Sequence, residues 1–248
     1  MTSQPTLDEP FTGEVASAAE AHELGEEYVA AVGKVIASHV RNELAGASVY
    51  DEPAIALAGT PQEKWLACRI AMEEYGHHLR FNKLSAELGL PDPLERSPLS
   101  VFDYELTSWT QFVVLKAIVD LAEIVLMDDL EQCSYLPLRS LTHKLMPEEK
   151  FHVSFGRARS KELAADPATR GEVQAAVNDL VSLCLPFFGR SDSRNNEVFR
   201  RWGVKRLTND ESRAEFINRS REFVVDELGL TYPTVELTWS GADVQATS

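Results

Sequence analysis

Apolar residues recur three or four apart through most of this chain, and in four successive segments the apolar stripe is interrupted by an acid. The first segment, from 14 to about 50, carries Val29, Val32, Ile36, Val40, Ala47 and Tyr50 on one face, with Glu43 among them, and closes at a turn, Asp51-Glu52-Pro53. A second helix opens at Thr60-Pro61-Gln62-Glu63, a capping box with proline at the first helical position, and is predicted to stop near Leu88, before Gly89 and Pro91. Its stripe of Ala67, Ile70, Ala71, Phe81, Leu84 and Leu88 also holds Glu74 and His77, with Glu73 beside it. The third helix opens at a further capping box, Ser108-Trp109-Thr110-Gln111, and extends to about Cys133. Asp120 interrupts its stripe of Val113, Ala117, Ile124 and Met127, while Glu123 falls on the adjoining stripe of Phe112, Val119, Leu126 and Leu130. The fourth follows Pro137 and places Glu149 and His152 in line with Leu138, Leu141, Leu145 and Leu163. Pro147 lies inside it and predicts a kink or a restart, because proline removes a backbone hydrogen bond.

Punctuation outside these segments sets the remaining organisation. Residues 91–106 contain three prolines and read as a loop too long for a simple helix connection. A fifth helix is expected from Asp166-Pro167 to about Phe188, then a serine- and asparagine-rich loop over 189–196. Thr208-Asn209-Asp210-Glu211 is another capping box and opens a last helix ending at Gly229. Residues 1–13 are expected to be a flexible start, 14–230 one domain, and 231–248 a loose tail.

Two of the interrupting acids belong to a repeated motif, Glu73-Glu74-Tyr75-Gly76-His77 and Glu148-Glu149-Lys150-Phe151-His152. On a helix, a glutamate three residues before a histidine shares its face within one turn. A single Glu-x-x-His is usually a solvated helix face. Here both copies lie on apolar stripes, and each follows a lone acid at a similar interval: Glu43 precedes Glu74 by 31 residues and Asp120 precedes Glu149 by 29. Glu123 would make the second interval 26, so Asp120 ranks first and Glu123 is a neighbouring or alternative ligand. A carboxylate from each of two helices and a Glu-x-x-His from each of two others is the inward-facing metal set of ferritin-like bundles. The predicted fold is therefore all-α, a ferritin-like four-helix bundle with additional C-terminal helices.

The expected metal ligands are Glu43, Glu74, His77, Asp120, Glu149 and His152. Carboxylates with one imidazole per ion suit two irons, with manganese a poorer second and zinc a worse fit. Four carboxylates neutralise two divalent ions, which offsets the cost of burying them. His39, His78 and His143 stand outside the pattern and read as structural.

Composition narrows the function further. With 25% charged and 44% hydrophobic residues the chain is ordinary for a globular protein, but its net charge of −15 argues against nucleic acid or an anionic membrane as partner. Cys68, Cys133 and Cys184 form no Cys-x-x-Cys pair, which points to a reducing cytoplasm, and no apolar run is long and charge-free enough to span a membrane. Arg200, Arg201, Lys205 and Arg206 form the one dense basic cluster. Lys205 and Arg206 are candidates for contacting the phosphates of a coenzyme A or carrier-bound substrate.

With these residues placed, the chain resembles the catalytic subunit of the bacterial phenylacetyl-CoA epoxidase family, di-iron members of the ferritin-like superfamily. The likeness covers roughly 35–233. It rests on Ser38-His39-Val40-Arg41-Asn42-Glu43, Glu74-Tyr75-Gly76-His77, Ser108-Trp109 with Ile118-Val119-Asp120, and Glu149-Lys150-Phe151-His152. It continues through Trp202-Gly203-Val204-Lys205-Arg206-Leu207-Thr208-Asn209-Asp210-Glu211 and Glu227-Leu228-Gly229-Leu230-Thr231-Tyr232-Pro233. The resemblance places the third-helix ligand at Asp120. It implies an O2-dependent monooxygenase that inserts one oxygen atom into an aromatic ring carried as a CoA thioester, supplied with electrons by a separate reductase and paired with a related structural subunit. A di-iron oxidase or N-oxygenase of a specialised pathway, or a metal-binding structural subunit, are the alternatives.

Overall fold

In the computed structural model, which describes residues 5–91 and 100–239, each predicted stripe becomes a buried helix face. The ends of the expected flexible start and loose tail, residues 1–4 and 240–248, and most of the proline-containing loop, 92–99, lie outside the described residues. Four helices form the bundle: α2 (Glu26–Gly46), α4 (Pro61–Glu87), α5 (Trp109–Leu130) and α6 (Leu136–Ala165). They pack as two hairpin-like pairs, α2 on α4 and α5 on α6, with α4 also meeting α6. No β-strand occurs among the described residues beyond one isolated bridge between Val15 and Tyr135.

Helix α5 sits at the centre, buried on almost every side from Phe112 to Leu130. Beyond the bundle, α7 (Arg170–Cys184) and α9 (Asn209–Arg221) cover its remaining faces, while α8 (Arg194–Arg201) packs on α2. Helices α5 and α6 approach unusually closely at Gly156. A Cβ there would lie 2.4 Å from the Ala117 backbone nitrogen, so only glycine permits this contact.

Three boundaries differ from the sequence reading. The expected first helix is divided at Gly25, whose φ of 106° ends α1 (Ala18–Leu24) before α2 begins. At its other end the chain does not turn at Asp51. It passes through a wide helical turn, Ala47–Asp51, directly into α3 (Glu52–Leu57), and the extra residue swings Asp51 into the interior, where it is 1% exposed. Helix α7 begins at Arg170 rather than at Asp166-Pro167.

The restart expected at Pro147 is absent, since α6 runs unbroken from Leu136 to Ala165. Pro147 and His143 both occupy the exposed face. The His143 carbonyl, deprived of its helical donor, can therefore be hydrated, and the penalty stays small.

The segments around Phe11 and over 232–239 are tied to this frame. Phe11 packs with Tyr28 and Trp202, and its amide donates to the Arg201 carbonyl at 2.8 Å. Tyr232 shares a 2.7 Å hydrogen bond with Ser220, and the Trp239 amide donates to Ser191 Oγ at 2.9 Å.

Candidate metal centre

The six predicted residues converge between α2, α4, α5 and α6, each less than a tenth exposed. They form two interlocking quartets: Glu43, Glu74, His77 and Glu149, then Glu74, Asp120, Glu149 and His152. Both quartets contain Glu74 and Glu149, and the geometry explains the sharing. His77 Nδ1 lies 2.8 Å from Glu149 Oε1 and 3.4 Å from Glu74 Oε2. His152 Nδ1 lies 3.1 Å from Glu74 Oε1 and 3.9 Å from Glu149 Oε2. Each of these two carboxylates thus turns one oxygen to each histidine. Of these two histidines, Glu43 approaches His77, at 3.6 Å, and Asp120 approaches His152, at 3.5 Å.

Several atoms here are buried without a hydrogen bond of acceptable geometry: Nδ1 of both histidines, Glu149 Oε1 and Asp120 Oδ2. Orphaned polar atoms converging on one spot are costly unless something else binds them. A pair of divalent cations fits the donor set, each with one imidazole nitrogen, one carboxylate of its own and two shared carboxylates.

Sequence reasoning missed the residues that aim the ligands. Each histidine turns its Nε2 to the first glutamate of the other motif: His77 to Glu148 Oε2 at 2.8 Å and His152 to Glu73 Oε2 at 2.9 Å. Carboxylates only accept, so Nε2 carries the proton and Nδ1 faces the centre. The doubled glutamate in each motif was the available signal.

Lys116 was also missed, although a lysine four residues before Asp120, within the apolar run from Phe112 to Val119, marked it. Its ammonium is buried, 2.8 Å from Glu74 Oε1 and Asp120 Oδ2 and 3.1 Å from Asp51 Oδ1. Burial opposes its charge, but the three acids hold its pKa well above the ordinary lysine range.

Opposed forces act on the carboxylates of the metal-free site. Burial would raise Glu74, yet Lys116 and the two imidazoles hold it well below the usual carboxylate range. Burial dominates at Glu43 and Asp120, which are pushed well above that range, and at Asp51, raised to about 6. Burial alone would lower His152, but Glu73 and Glu74 raise it to about 10.

The other candidates separate. Glu123 belongs to neither quartet and lies 2.8 Å from His39 Nδ1. His78 is structural, its Nδ1 within 2.8 Å of the Val40 carbonyl oxygen, and His143 is exposed. In the basic cluster, Arg200, Lys205 and Arg206 share the lining of a pocket of about 300 Å³, and most of its members are engaged within the protein. Arg201 pairs with Glu27 at 2.6 Å, Arg200 donates to the Arg206 carbonyl at 3.0 Å, and the Arg206 guanidinium turns to Gln132. Lys205 instead lines a cavity of about 530 Å³ together with Lys34, Arg41 and Asn195.

A metal-facing pocket of about 50 Å³ lies beside that cavity, and Asn42, Glu123 and Phe187 line both.

Residues 16–246 match the protein family described as "Phenylacetic acid catabolic protein". The chain belongs to this family. It is a di-iron monooxygenase family, so the protein is an enzyme of that class, in agreement with the buried Glu/His cluster. Among curated proteins, the chain is similar to one of the subunits of 1,2-phenylacetyl-CoA epoxidase from Escherichia coli (strain K12). The two are 30% identical over 213 residues, covering 82% of this chain and 68% of that protein. No helix among the described residues is long and apolar enough to cross a membrane.

Proposed function

We propose that the chain is the metal-bearing subunit of an O2-dependent monooxygenase that oxygenates an acyl thioester, an aromatic acyl-CoA first among the candidates. Glu43, Glu74, Asp120 and Glu149 would hold the ions through their carboxylates, with His77 and His152 as the nitrogen donors. The observation that carries the reading is the sharing of Glu74 and Glu149 between two quartets. Two imidazole nitrogens buried without a well-formed hydrogen bond and facing the same pair of carboxylates support this reading.

Two irons bound there would supply O2 activation, for which carboxylate-rich sites are suited. The chain's own residues do the rest. Glu73 and Glu148 fix the imidazole tautomers, and Val119, Leu115 and Phe102 in the pocket lining limit access of water. The outer cavity is large enough for a small-molecule substrate. Its Lys34, Arg41 and Lys205 provide positive charge for the phosphates of a thioester carrier, with Lys205 in the role expected of it. Arg206 does not line this cavity but shares a pocket of about 300 Å³ with Lys205 and Arg200. The E. coli relative is by its description one component of a multi-subunit enzyme, and an electron donor and a partner subunit are proposed here too.

Anaerobic loading with Fe(II), followed by phenylacetyl-CoA, O2 and a chemical or protein reductant, tests the proposal. Two irons per chain and an oxygenated thioester are expected. Absence of stoichiometric iron, or iron without oxygenation of any acyl-CoA tried, would overturn it.

A further inference from the structure

We propose that His39, Glu123 and the outward oxygen of Glu43 form a third divalent-cation site at the mouth of the metal pocket. The proposal rests on the paired-metal reading of the inner site, and three observations carry it.

Glu43 presents its two oxygens to different histidines. Oε2 lies 3.6 Å from His77 Nδ1 inside, and Oε1 lies 3.9 Å from His39 Nδ1 outside. A carboxylate can bridge two ions in this way, as Glu74 and Glu149 are arranged to do between the inner positions.

The outer groups are also placed to share one ion. Ligand atoms from His39, Glu43 and Glu123 all lie within 4.8 Å of one another, and Glu123 Oε1 is buried without a well-formed hydrogen bond despite its 2.8 Å approach to His39. His39 stacks on Phe81, ring centroids 4.6 Å apart and planes 8° apart, which fixes the edge it offers.

Charge sets the strength of the outer site. Four inner carboxylates, Glu43 among them, balance two divalent ions, and Asp51 is balanced by Lys116. Glu123 is the one carboxylate left over, so an ion there keeps net positive charge, to which Lys205 adds from the cavity side. One imidazole and two carboxylates suit Mn(II) or Fe(II), with water from the cavity of about 530 Å³ completing the coordination. An ion arriving through that cavity meets this site first, and it is held more weakly than the inner pair.

An anaerobic Mn(II) titration, followed by the magnetic resonance signal of the free aqua ion, tests the assignment. About 0.15 M salt screens surface carboxylates. The variants are Glu123→Gln, whose amide oxygen still accepts from His39, and His39→Gln. Wild type is expected to bind three ions, two tightly, and each variant two, with the inner affinities unchanged within about threefold, a difference of well under 1 kcal/mol. Saturation of wild type at two ions, or a third ion retained by Glu123→Gln, overturns the outer site and leaves the inner reading standing. Fewer than two ions in wild type overturns the inner reading and the outer site with it.

Discussion

Glu148 accepts a hydrogen bond from His77 Nε2 at 2.8 Å, although the two belong to different copies of the motif on different helices. Glu73 and His152 repeat the relationship in the other direction at 2.9 Å. The copies are thus cross-linked through their first glutamates, and each imidazole is held with Nδ1 turned to the centre. Replacing either acid with glutamine loosens that orientation without removing a ligand. Glu73→Gln and Glu148→Gln are each expected to weaken metal binding by about 10- to 100-fold with little change in helicity. Mn(II) titration and circular dichroism check this, and undiminished affinity in both variants would contradict it.

Lys116 joins Asp51, Glu74 and Asp120 in the interior. Lys116→Met leaves Asp51 buried without its cation, and a loss of about 3–5 kcal/mol is expected for the metal-free protein. Adding Asp51→Asn removes the stranded charge and should recover much of that loss. Urea unfolding of the single and double variants measures the coupling, and additive effects would show that the pair is not a unit.

Gly156 allows the backbones of α5 and α6 to touch. Gly156→Ala places a methyl group 2.4 Å from the Ala117 nitrogen, so the helices must separate and carry Asp120 away from Glu149 and His152. A destabilisation of about 1–3 kcal/mol is expected, and more if the helices cannot adjust. Weaker metal binding should accompany it. Thermal unfolding and ion titration on the same samples test the two effects together.

The metal-free protein should respond to pH through its histidines. The folded-state pKa of His152 is raised to about 10, above its unfolded value near 6.5, so its contribution is complete below about pH 6.5 and is lost as pH rises towards 10. The cause is the pair Glu73 and Glu74, which outweighs burial. His77 is raised as well, against burial, by Glu149, Glu43 and Glu74. Metal-free stability is therefore expected to fall by a few kcal/mol between pH 6.5 and 10. Metal affinity should rise over the same range, because the ion must displace the Nδ1 proton. Denaturation curves and ion titrations at several pH values measure both slopes.

Phe187 lines both cavities. Phe187→Ala is expected to leave metal content unchanged and to shift turnover towards bulkier acyl groups. Product analysis on a series of acyl thioesters reads this out, and an unaltered preference would exclude Phe187 from the passage.

Local geometry made much of this legible in the sequence. A helix repeats every 3.6 residues, so Glu74 with His77 and Glu149 with His152 share a face whatever surrounds them, and their apolar neighbours reveal that the face is buried. The same periodicity exposed Glu43 and Asp120 and gave the all-α bundle. Asp51 was read as part of an ordinary turn because a single extra residue in a helical turn leaves no periodic trace. Pro147 was read as a kink or a restart because its cost depends on which face meets water, and that face is set by packing.

What tertiary structure alone decided is which helix faces which, and at what height. Glu148 and His77 are 71 residues apart in the chain, Glu73 and His152 are 79 apart, and Lys116 meets acids from two other segments. Glu123 meets His39, and Lys205 reaches the larger cavity that Arg206 does not line. Such pairings follow from the rotation and close approach of packed helices, as at Gly156. Those are properties of the assembled core, whereas the ligand spacing is a property of one helix.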